Sequence, residues 1–321
     1  MTNPKILFVS ELGFEGKVSR NHRHMRTEFA QFCALEADHC NLYQINDYTK
    51  KDYDYVILLI SKTTELREFL LTFDVVEKAR EFGKKVWFMQ EATCWIHQTM
   101  KLQHQITHYN ILNSVDGILS ENVTDYKYYK GIAPNIPVHT IPTLMIEDTL
   151  LDARKVKKQD KTMVGGNCSN WYGGFDSYLV ADTYDNKIDM PKMRNTDFHE
   201  QLPRLSVLPH VQFHDWIYKF AEYKYAVHLM PSITAGTFCL NAAFLGIPCI
   251  GYKESDPQRL CQPDLSVDLY DLESAMKMAI KLKNDKDFYD DCSKKAIENY
   301  NKHYNEKVFL KHMEEIFNET N

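Results

Sequence analysis

The sequence predicts an α/β protein with two domains, each built on a parallel β-sheet. Between Tyr225 and Tyr252, a short apolar run is followed by a turn of small residues, an apolar helix and a second apolar run. This order is a βαβ unit, whose two strands run parallel. Comparable apolar runs recur in the first half of the chain, at 5–11, 54–60 and 84–89. With 321 residues, the chain is long enough for two such domains with separate cores.

The composition is that of an ordinary globular protein, with 44% apolar residues, 26% charged residues and a formal net charge of −6. The molecule is therefore not a polycation, and any contact with nucleic acid must come from a local basic patch. The eight cysteines form no C-x-x-C pair, which favours reduced thiols in a cytoplasmic protein over disulfides or structural zinc. The chain enters a strand directly and has no apolar run that could span a bilayer, so we expect neither a signal peptide nor a membrane segment.

The turn inside the βαβ unit is the strongest candidate for a binding site. Pro231 ends the first strand, and Gly236 and Thr237 begin an apolar helix that extends to Leu245. Small residues at a helix start leave backbone N–H groups uncovered, and the helix dipole adds positive potential there. An anion, most naturally a diphosphate, is therefore favoured at 235–237, with the Thr237 hydroxyl as a further donor. An ordinary capped turn without a ligand is the alternative.

The same segment resembles a known family. Its strand, proline, small residues, Gly-Thr pair, apolar helix and Leu-Gly-Ile-Pro-Cys-Ile-Gly run are similar to the donor-binding core of the GT-B glycosyltransferases. The resemblance implies an α/β GT-B fold, in which two Rossmann-like domains face a central cleft and the C-terminal domain binds a nucleotide-sugar. In many of these enzymes the helix carries a Glu that holds the donor ribose. Asn241 stands at that position here, and its side chain can also hydrogen-bond a hydroxyl.

Composition and resemblance together predict the domain organisation. An acceptor-side, Rossmann-like N-terminal domain is expected over 1–146, and the charged, low-apolar stretch 147–161 is expected to be a linker. The nucleotide-sugar-binding C-terminal domain is expected over 162–300. An amphipathic helix within 301–321 is expected to pack back on the N-terminal domain, as it does in the GT-B family.

Further candidate donor contacts lie at the carboxyl ends of predicted strands, where ligands bind in open α/β sheets. A glycine-bearing loop follows the first strand, although a loop without a ligand is the alternative there. The resemblance implies two further donor contacts: the loop after the first strand of the C-terminal domain, and a turn that contacts the nucleotide base. It also implies an arginine that pairs with the donor phosphate, although an ion pair with a surface carboxylate is the alternative. The predicted donor-binding residues are Gly13, Gly16, Gly166, Asn167, Ser169, His214, Trp216, Thr234, Ala235, Gly236, Thr237 and Asn241, and the predicted phosphate-pairing catalytic residue is Arg194.

The densest basic cluster of the chain lies between Ser19 and Glu28 and contains Arg20, Arg23 and Arg26. Arginine forks suit phosphate oxygens, so these residues are predicted to bind the acceptor. A solvated, charged helix start is the alternative, although cations are mildly unfavourable at a helix N-terminus. Two histidines in this cluster have no accompanying carboxylate or cysteine set, so no metal site is predicted there.

Glu91 is the candidate catalytic base, because it follows a predicted strand and therefore lies at its carboxyl edge. It would take a proton from the acceptor hydroxyl if the enzyme inverts; alternatively, it caps the next helix or orients the substrate. The acidic triplet Asp285-Lys286-Asp287 lies between predicted helices and is interpreted as a solvated turn rather than a metal site. We therefore expect a metal-independent reaction, with a UDP-sugar as substrate and no cofactor, in which the helix dipole and an arginine stabilise the leaving diphosphate.

A second resemblance concerns the acceptor. Gln90-Glu91 with Trp95, together with the stretches 25–27, 116–122 and 125–131, is similar to glycosyltransferase-like proteins of T-even-type bacteriophages. The resemblance implies transfer of a glucosyl or arabinosyl group to 5-hydroxymethylcytosine in phage DNA, in the host cytoplasm, with extrusion of the target nucleotide. Two alternatives remain open: a transferase acting on a saccharide acceptor, and a non-catalytic protein that binds nucleotide-sugar or nucleic acid.

Overall fold

The computed structural model describes residues 4–10, 16–22, 25, 27–48, 51–60, 66–90, 93–166, 168, 171–192 and 199–320. The chain divides into two compact units. The first comprises Met1–His22, Glu28–Pro142 and Leu310–Asn321, and the second comprises Arg23–Thr27 and Thr143–Phe309. Residues 147–161, expected to be a linker, lie in the second unit, where they contain a 3-10 helix and the start of a strand.

In the first unit, the described residues form a seven-stranded sheet. Its strands are β1 (Ile6–Ser10), β2 (Gly16–Lys17), β3 (Asp38–Asn41), β4 (Tyr53–Ile60), β5 (Gly83–Gln90), β6 (Gly117–Ser120) and β7 (Val138–Thr140). They lie in the order β2-β3-β1-β4-β5-β6-β7, and neighbouring strands are parallel except β2 and β3. The helices are α1 (Thr27–Ala34), α2 (Leu66–Ala79), α3 (Trp95–Gln98), α4 (Leu102–Leu112) and α5 (Val123–Ile132), with a 3-10 helix over Leu42–Tyr48.

In the second unit, the described residues form a six-stranded, all-parallel sheet. Its strands are β8 (Gln159–Val164), β9 (Lys187–Pro191), β10 (Leu205–Leu208), β11 (Tyr223–His228), β12 (Cys249–Tyr252) and β13 (Ser266–Val267), in the order β10-β9-β8-β11-β12-β13. The α-helices are α6 (Gly174–Ala181), α7 (Phe213–Ala221), α8 (Thr237–Phe244), α9 (Asp256–Cys261), α10 (Leu272–Asn284) and α11 (Lys286–His303). The last helix, α12 (Glu306–Thr320), begins in the second unit and belongs to the first unit from Leu310 onwards. The 3-10 helices cover Leu151–Lys155, Asp182–Tyr184, His199–Gln201 and Pro263–Leu265.

The strand order reverses once in each sheet. The chain runs from β8 outwards through β9 and β10 and then returns to β11, on the other side of β8. In the first sheet, the chain passes from β3, on one side of β1, to β4 on the other side of β1. This arrangement is that of Rossmann-like domains, whose ligands bind outside the carboxyl ends of the strands at the point of reversal. The predicted α/β class with two parallel, Rossmann-like sheets is confirmed.

The central strands of the first sheet are buried on both faces, which explains why their sequences are continuous apolar runs. Side chains alternate between the faces, so Phe8 points away from Leu7 and packs with its ring 4.1 Å from that of Phe32 in α1. On the face that carries Phe8, Tyr55 lies with its ring 4.5 Å from that of Phe317 in α12. The end of α12 therefore packs on the first sheet. Among the described helices, none is both long and apolar enough to cross a membrane.

Candidate functional site

The candidate site is the turn between β11 and α8, residues 229–236, which is called the β11–α8 turn below. It lies at the carboxyl edge of the second sheet, beside the point where the strand order reverses. The strand, turn, helix and second strand expected from the sequence are all present, within two residues of the predicted bounds for α8 and β11. The turn brings together four predicted donor-binding residues, Thr234, Ala235, Gly236 and Thr237.

Gly236 precedes α8 in the left-handed conformation, with φ 71° and ψ 29°. A Cβ atom on this residue would lie 2.7 Å from Cγ of Pro257 and 2.8 Å from Oγ of Ser255, so a side chain has no room. No side chain among the described residues caps the helix here. The nearest candidate, Oγ1 of Thr234, lies 3.4 Å from the Gly236 nitrogen, which is long for a hydrogen bond. The first amides of α8 are therefore available to a ligand.

Two side-chain hydrogen bonds connect the β11–α8 turn to other segments of the second unit. Oγ of Ser232 donates to the carbonyl oxygen of Trp171 over 3.1 Å. Oγ1 of Thr143, a fully buried residue, donates to the carbonyl oxygen of Ala235 over 2.5 Å. Sequence reasoning did not single out Thr143, because no local pattern connects it with a turn 92 residues later.

Asn241 and Trp216 connect α7 to α8. The amide of Asn241 is oriented by its neighbours, so that its nitrogen donates to the carbonyl oxygen of Thr237 and its oxygen accepts from Nε1 of Trp216, each over 3.2 Å. Asn241 is only 5% exposed. Both side chains thus have partners inside the second unit, and the expected contacts of Asn241 and Trp216 with a donor stay predictions.

His228 ends β11 directly beside the end of β8. A Cβ atom at Gly165 would lie 2.3 Å from Nδ1 of His228, so the close approach of these two strands requires glycine at that position. The His228 ring also lies 4.9 Å from the ring of Phe238 in α8. Burial lowers the pKa of His228 to about 4, although the backbone of Gly165 opposes this effect. The imidazole is therefore neutral at pH 7 and adds no positive charge to the turn.

Basic side chains cover the opposite end of α8. Nε of Arg154 donates to the carbonyl oxygen of Phe244 over 2.8 Å, and its guanidinium lies 4.2 Å from the centre of the Phe244 ring. Nζ of Lys158 donates to the carbonyl oxygens of Leu245, over 3.1 Å, and Gly246, over 2.7 Å. Cations and donors at a helix C-terminus satisfy its last carbonyls and favour its dipole. The contacts of Arg154 and Lys158 with α8 were not predicted from the sequence, because both residues lie in the segment 147–161 that was expected to be a linker.

The other described candidates are distributed over both units. Gly166 follows β8 at the same sheet edge as the β11–α8 turn, and His214 lies in the first turn of α7, with its ring 5.5 Å from that of Tyr218. In the first unit, Gly16 pairs with β3 as part of β2, and Arg20 is exposed in the turn that follows. The remaining candidates lie outside the described residues: Gly13, Arg23, Arg26, Glu91, Asn167, Ser169 and Arg194.

The acidic triplet near the C-terminus begins a helix. Oδ1 of Asp285 accepts from the backbone nitrogen of Phe288 over 2.9 Å and so caps α11, and Lys286 pairs with Asp290. Within the described part of the chain, no group of three or more His, Cys, Asp or Glu side chains is arranged to hold a metal ion.

No protein-family model matches this sequence, and no curated protein is significantly similar to it. Solved structures are similar in fold over the full chain. HepE of Anabaena in complex with UDP-glucose covers 98% of this chain and 100% of its own, at 10% identity and TM-score 0.70. An α-glucosyltransferase in complex with UDP and a 13-mer DNA containing an HMU base covers 98% of this chain and 99% of its own, at 12% identity and TM-score 0.68. Sucrose-phosphate synthase of Thermosynechococcus elongatus covers 98% of both chains, at 12% identity and TM-score 0.69. Identities this low show the fold alone, and the GT-B fold expected from the sequence is confirmed.

Proposed function

We propose that this protein is a GT-B glycosyltransferase that transfers a sugar from a UDP-sugar to an acceptor hydroxyl. The observation that carries the proposal is the open start of α8, where Gly236 excludes any side chain at the carboxyl edge of the second sheet. Such a helix start favours a diphosphate. The similar structures of HepE and the α-glucosyltransferase hold UDP-glucose and UDP, which supports a uridine nucleotide as the carrier.

The reaction follows from the charge on the donor. The amides of Gly236 and Thr237 bind the diphosphate, and the dipole of α8 stabilises the negative charge that develops on UDP as the bond to the sugar breaks. Arg194, if it pairs with the same phosphates, adds a second positive charge. In this scheme the positive charge that favours the departure of UDP comes from the polypeptide.

Glu91 follows β5 directly and is proposed to take the proton from the acceptor hydroxyl in an inverting reaction. Its alternative role is to orient the substrate. None of the eight cysteines forms a disulfide and seven of them are buried, which supports a reducing compartment, and we place the reaction in the cytoplasm.

The activity is tested by the release of UDP from a panel of UDP-sugars without an acceptor. We expect slow hydrolysis of at least one of them, and a rate about 100-fold lower in Glu91→Gln, since water then lacks its base. Binding of UDP, measured by calorimetry, should be unchanged in this variant. Glu81→Gln, at an exposed carboxylate, is the matched control. UDP binding without release from any donor, with or without acceptors, would indicate the non-catalytic alternative.

Hydroxymethylcytosine in DNA is the acceptor we favour. The basic cluster that contains Arg20 supports it, and one similar structure holds DNA with a modified base. The decisive experiment is mass spectrometry of two duplexes of one sequence, with cytosine or hydroxymethylcytosine, after incubation with the protein and UDP-sugars. We expect a mass increase of one hexose or pentose in the hydroxymethylated duplex alone.

A saccharide is the second candidate acceptor. The net charge of −6 disfavours general binding to DNA, and sucrose-phosphate synthase has the same fold. Sugar transfer to a saccharide in the same assay, with both duplexes unmodified, would decide for this alternative.

A further inference from the structure

Thr143 makes a partly buried contact with the peptide group that precedes the candidate diphosphate site. It is the first residue of the second unit after Pro142, and its side chain is 0% exposed. Its Oγ1 donates to the carbonyl oxygen of Ala235 over 2.5 Å. The hydroxyl thus holds the peptide between Ala235 and Gly236.

The geometry of a peptide group gives this contact a consequence for the ligand. In a trans peptide the C=O and N–H bonds point in opposite directions. Because the Ala235 carbonyl is directed at Thr143, the N–H of Gly236 is directed to the opposite side, where Oγ1 of Thr234 lies 3.4 Å from the nitrogen. Rotation of this peptide by half a turn would present the carbonyl oxygen there instead. An oxygen with partial negative charge would repel a diphosphate.

The backbone by itself does not determine this orientation. Glycine adopts positive and negative φ values almost equally well, so the conformation of Gly236 restricts the preceding peptide weakly. The hydrogen bond from the Gly236 nitrogen to Oγ1 of Thr234 is long, at 3.4 Å, and therefore holds the peptide only weakly. The hydroxyl of Thr143 makes the shorter hydrogen bond, and without it a partly buried carbonyl would lose this partner.

We infer that Thr143 is a positioning residue, whose hydroxyl orients the Ala235–Gly236 peptide so that the Gly236 amide points at the donor diphosphate. The inference rests on the proposed function, because it assumes that UDP binds at the start of α8. Thr143 does not touch the ligand in this scheme and acts through the peptide alone.

The test compares Thr143→Val, which keeps the shape but loses the hydroxyl, with Thr143→Ser, which keeps the hydroxyl. Thr162→Val is the matched control, since Thr162 is equally buried in the same unit and donates to Oδ1 of Asn186 over 2.9 Å. We expect the Kd for UDP, measured by calorimetry, to rise about tenfold in Thr143→Val and to change less than about twofold in Thr143→Ser and Thr162→Val. Both valine variants should have a lower melting temperature.

A spectroscopic measurement separates orientation from general loss of stability. In wild type and Thr143→Ser, the ¹⁵N–¹H resonance of Gly236 should move when UDP is added, and in Thr143→Val this shift should be lost or reduced. Equal Kd values in Thr143→Val and wild type would overturn the inference and leave the proposed function intact. A wild-type protein that does not bind UDP would instead refute the proposed function, and the inference with it.

A crystal structure of the wild-type protein with UDP keeps the inference falsifiable if Thr143→Val does not fold. We expect the Gly236 nitrogen within hydrogen-bond distance of a phosphate oxygen, with the contact between Thr143 and Ala235 preserved. A peptide turned so that the Ala235 carbonyl faces the ligand would contradict the inference.

Discussion

Gly236 is the single residue on which the candidate site depends most directly. Its φ of 71° is unfavourable for other residues, and Pro257 and Ser255 leave no space for a Cβ atom. Gly131 in α5 does not have a positive φ, and a Cβ atom there would meet nothing within 4 Å. The two glycines therefore form a matched pair for substitution.

Gly236→Ala should abolish measurable binding of UDP and lower the free energy of unfolding by about 1–3 kcal/mol, because the new methyl group displaces Pro257 and strains the backbone. Gly131→Ala should leave UDP binding unchanged and raise the free energy of unfolding by at most about 1 kcal/mol. Calorimetric titration and urea unfolding measure the two quantities. Normal UDP affinity in Gly236→Ala would place the diphosphate away from the start of α8.

His228 should make the stability depend on pH. Its pKa is about 4 in the folded protein and near 6.5 in the unfolded chain, so the unfolded state binds more protons between these values. The free energy of unfolding should therefore fall as the pH decreases from 6.5 towards 4, by about 2 kcal/mol between pH 7 and pH 5 from this group.

Burial also lowers the pKa of His97 to about 4, so His97 adds to the pH dependence of the wild-type protein. The variant His228→Phe is therefore needed to isolate the contribution of His228. Urea unfolding at pH 7 and pH 5 should show a smaller loss of stability in His228→Phe than in wild type. Equal losses in the two proteins would mean that folding does not lower the pKa of His228.

At the scale of single elements, α8 is asymmetric. Its first amides have no side-chain cap among the described residues, whereas its last carbonyls accept from Arg154 and Lys158. The free end faces the carboxyl edge of the sheet, where a ligand can supply the missing acceptors. A helix that is closed at its C-terminus and open at its N-terminus is suited to bind an anion.

Lys158 provides a test of this end of α8. Burial lowers its pKa to about 8, whereas the unfolded chain should titrate near 10.5, so the unfolded state binds more protons between pH 8 and pH 10.5. The free energy of unfolding should rise by roughly 2–3 kcal/mol between pH 7 and pH 10 through this group. Lys158→Met should lose that rise, and Lys294→Met, at an exposed site on α11, should keep it. Parallel pH profiles for wild type and Lys158→Met would contradict the assignment.

At the scale of the whole molecule, the charge balance limits how the protein can bind DNA. With 38 basic and 44 acidic side chains, the molecule as a whole repels a polyanion. Binding to DNA would then depend on the few arginines of the cluster that contains Arg20. This makes the salt dependence of DNA binding a sharper test than affinity alone.

If Arg20, Arg23 and Arg26 each contact one phosphate, the logarithm of the binding constant should fall with the logarithm of the salt concentration with a slope of about −3. Arg20→Gln should make the slope shallower by about one unit. Arg80→Gln, at a surface ion pair with Asp116, should leave it unchanged. A slope near zero in the wild type, measured by fluorescence anisotropy, would argue for an uncharged acceptor.

The sequence carried enough information for the architecture and for the location of the candidate site. The apolar run before Pro231 became β11, the helix after Gly236 became α8, and the run after Gly246 became β12. Each of these elements depends on residues that are neighbours in the chain. Turn residues, helix starts and apolar periodicity depend on residues only a few positions apart, so the elements that they specify can be predicted directly from the sequence.

The sequence by itself thus determined the two parallel-sheet units and the start of α8 after Gly236, without a side-chain cap among the described residues. Only the tertiary structure decided which groups surround that helix: Thr143 at the Ala235 carbonyl, Trp216 at Asn241, and Lys158 at the carbonyls after Phe244. These partners lie between 25 and 92 positions apart in the sequence. Many other polar side chains of the chain have donors or acceptors that could make the same hydrogen bonds, so the sequence does not identify the partner. Their pairing follows from how the strands and helices pack, because a hydrogen bond forms only where the folded chain brings donor and acceptor within about 3 Å.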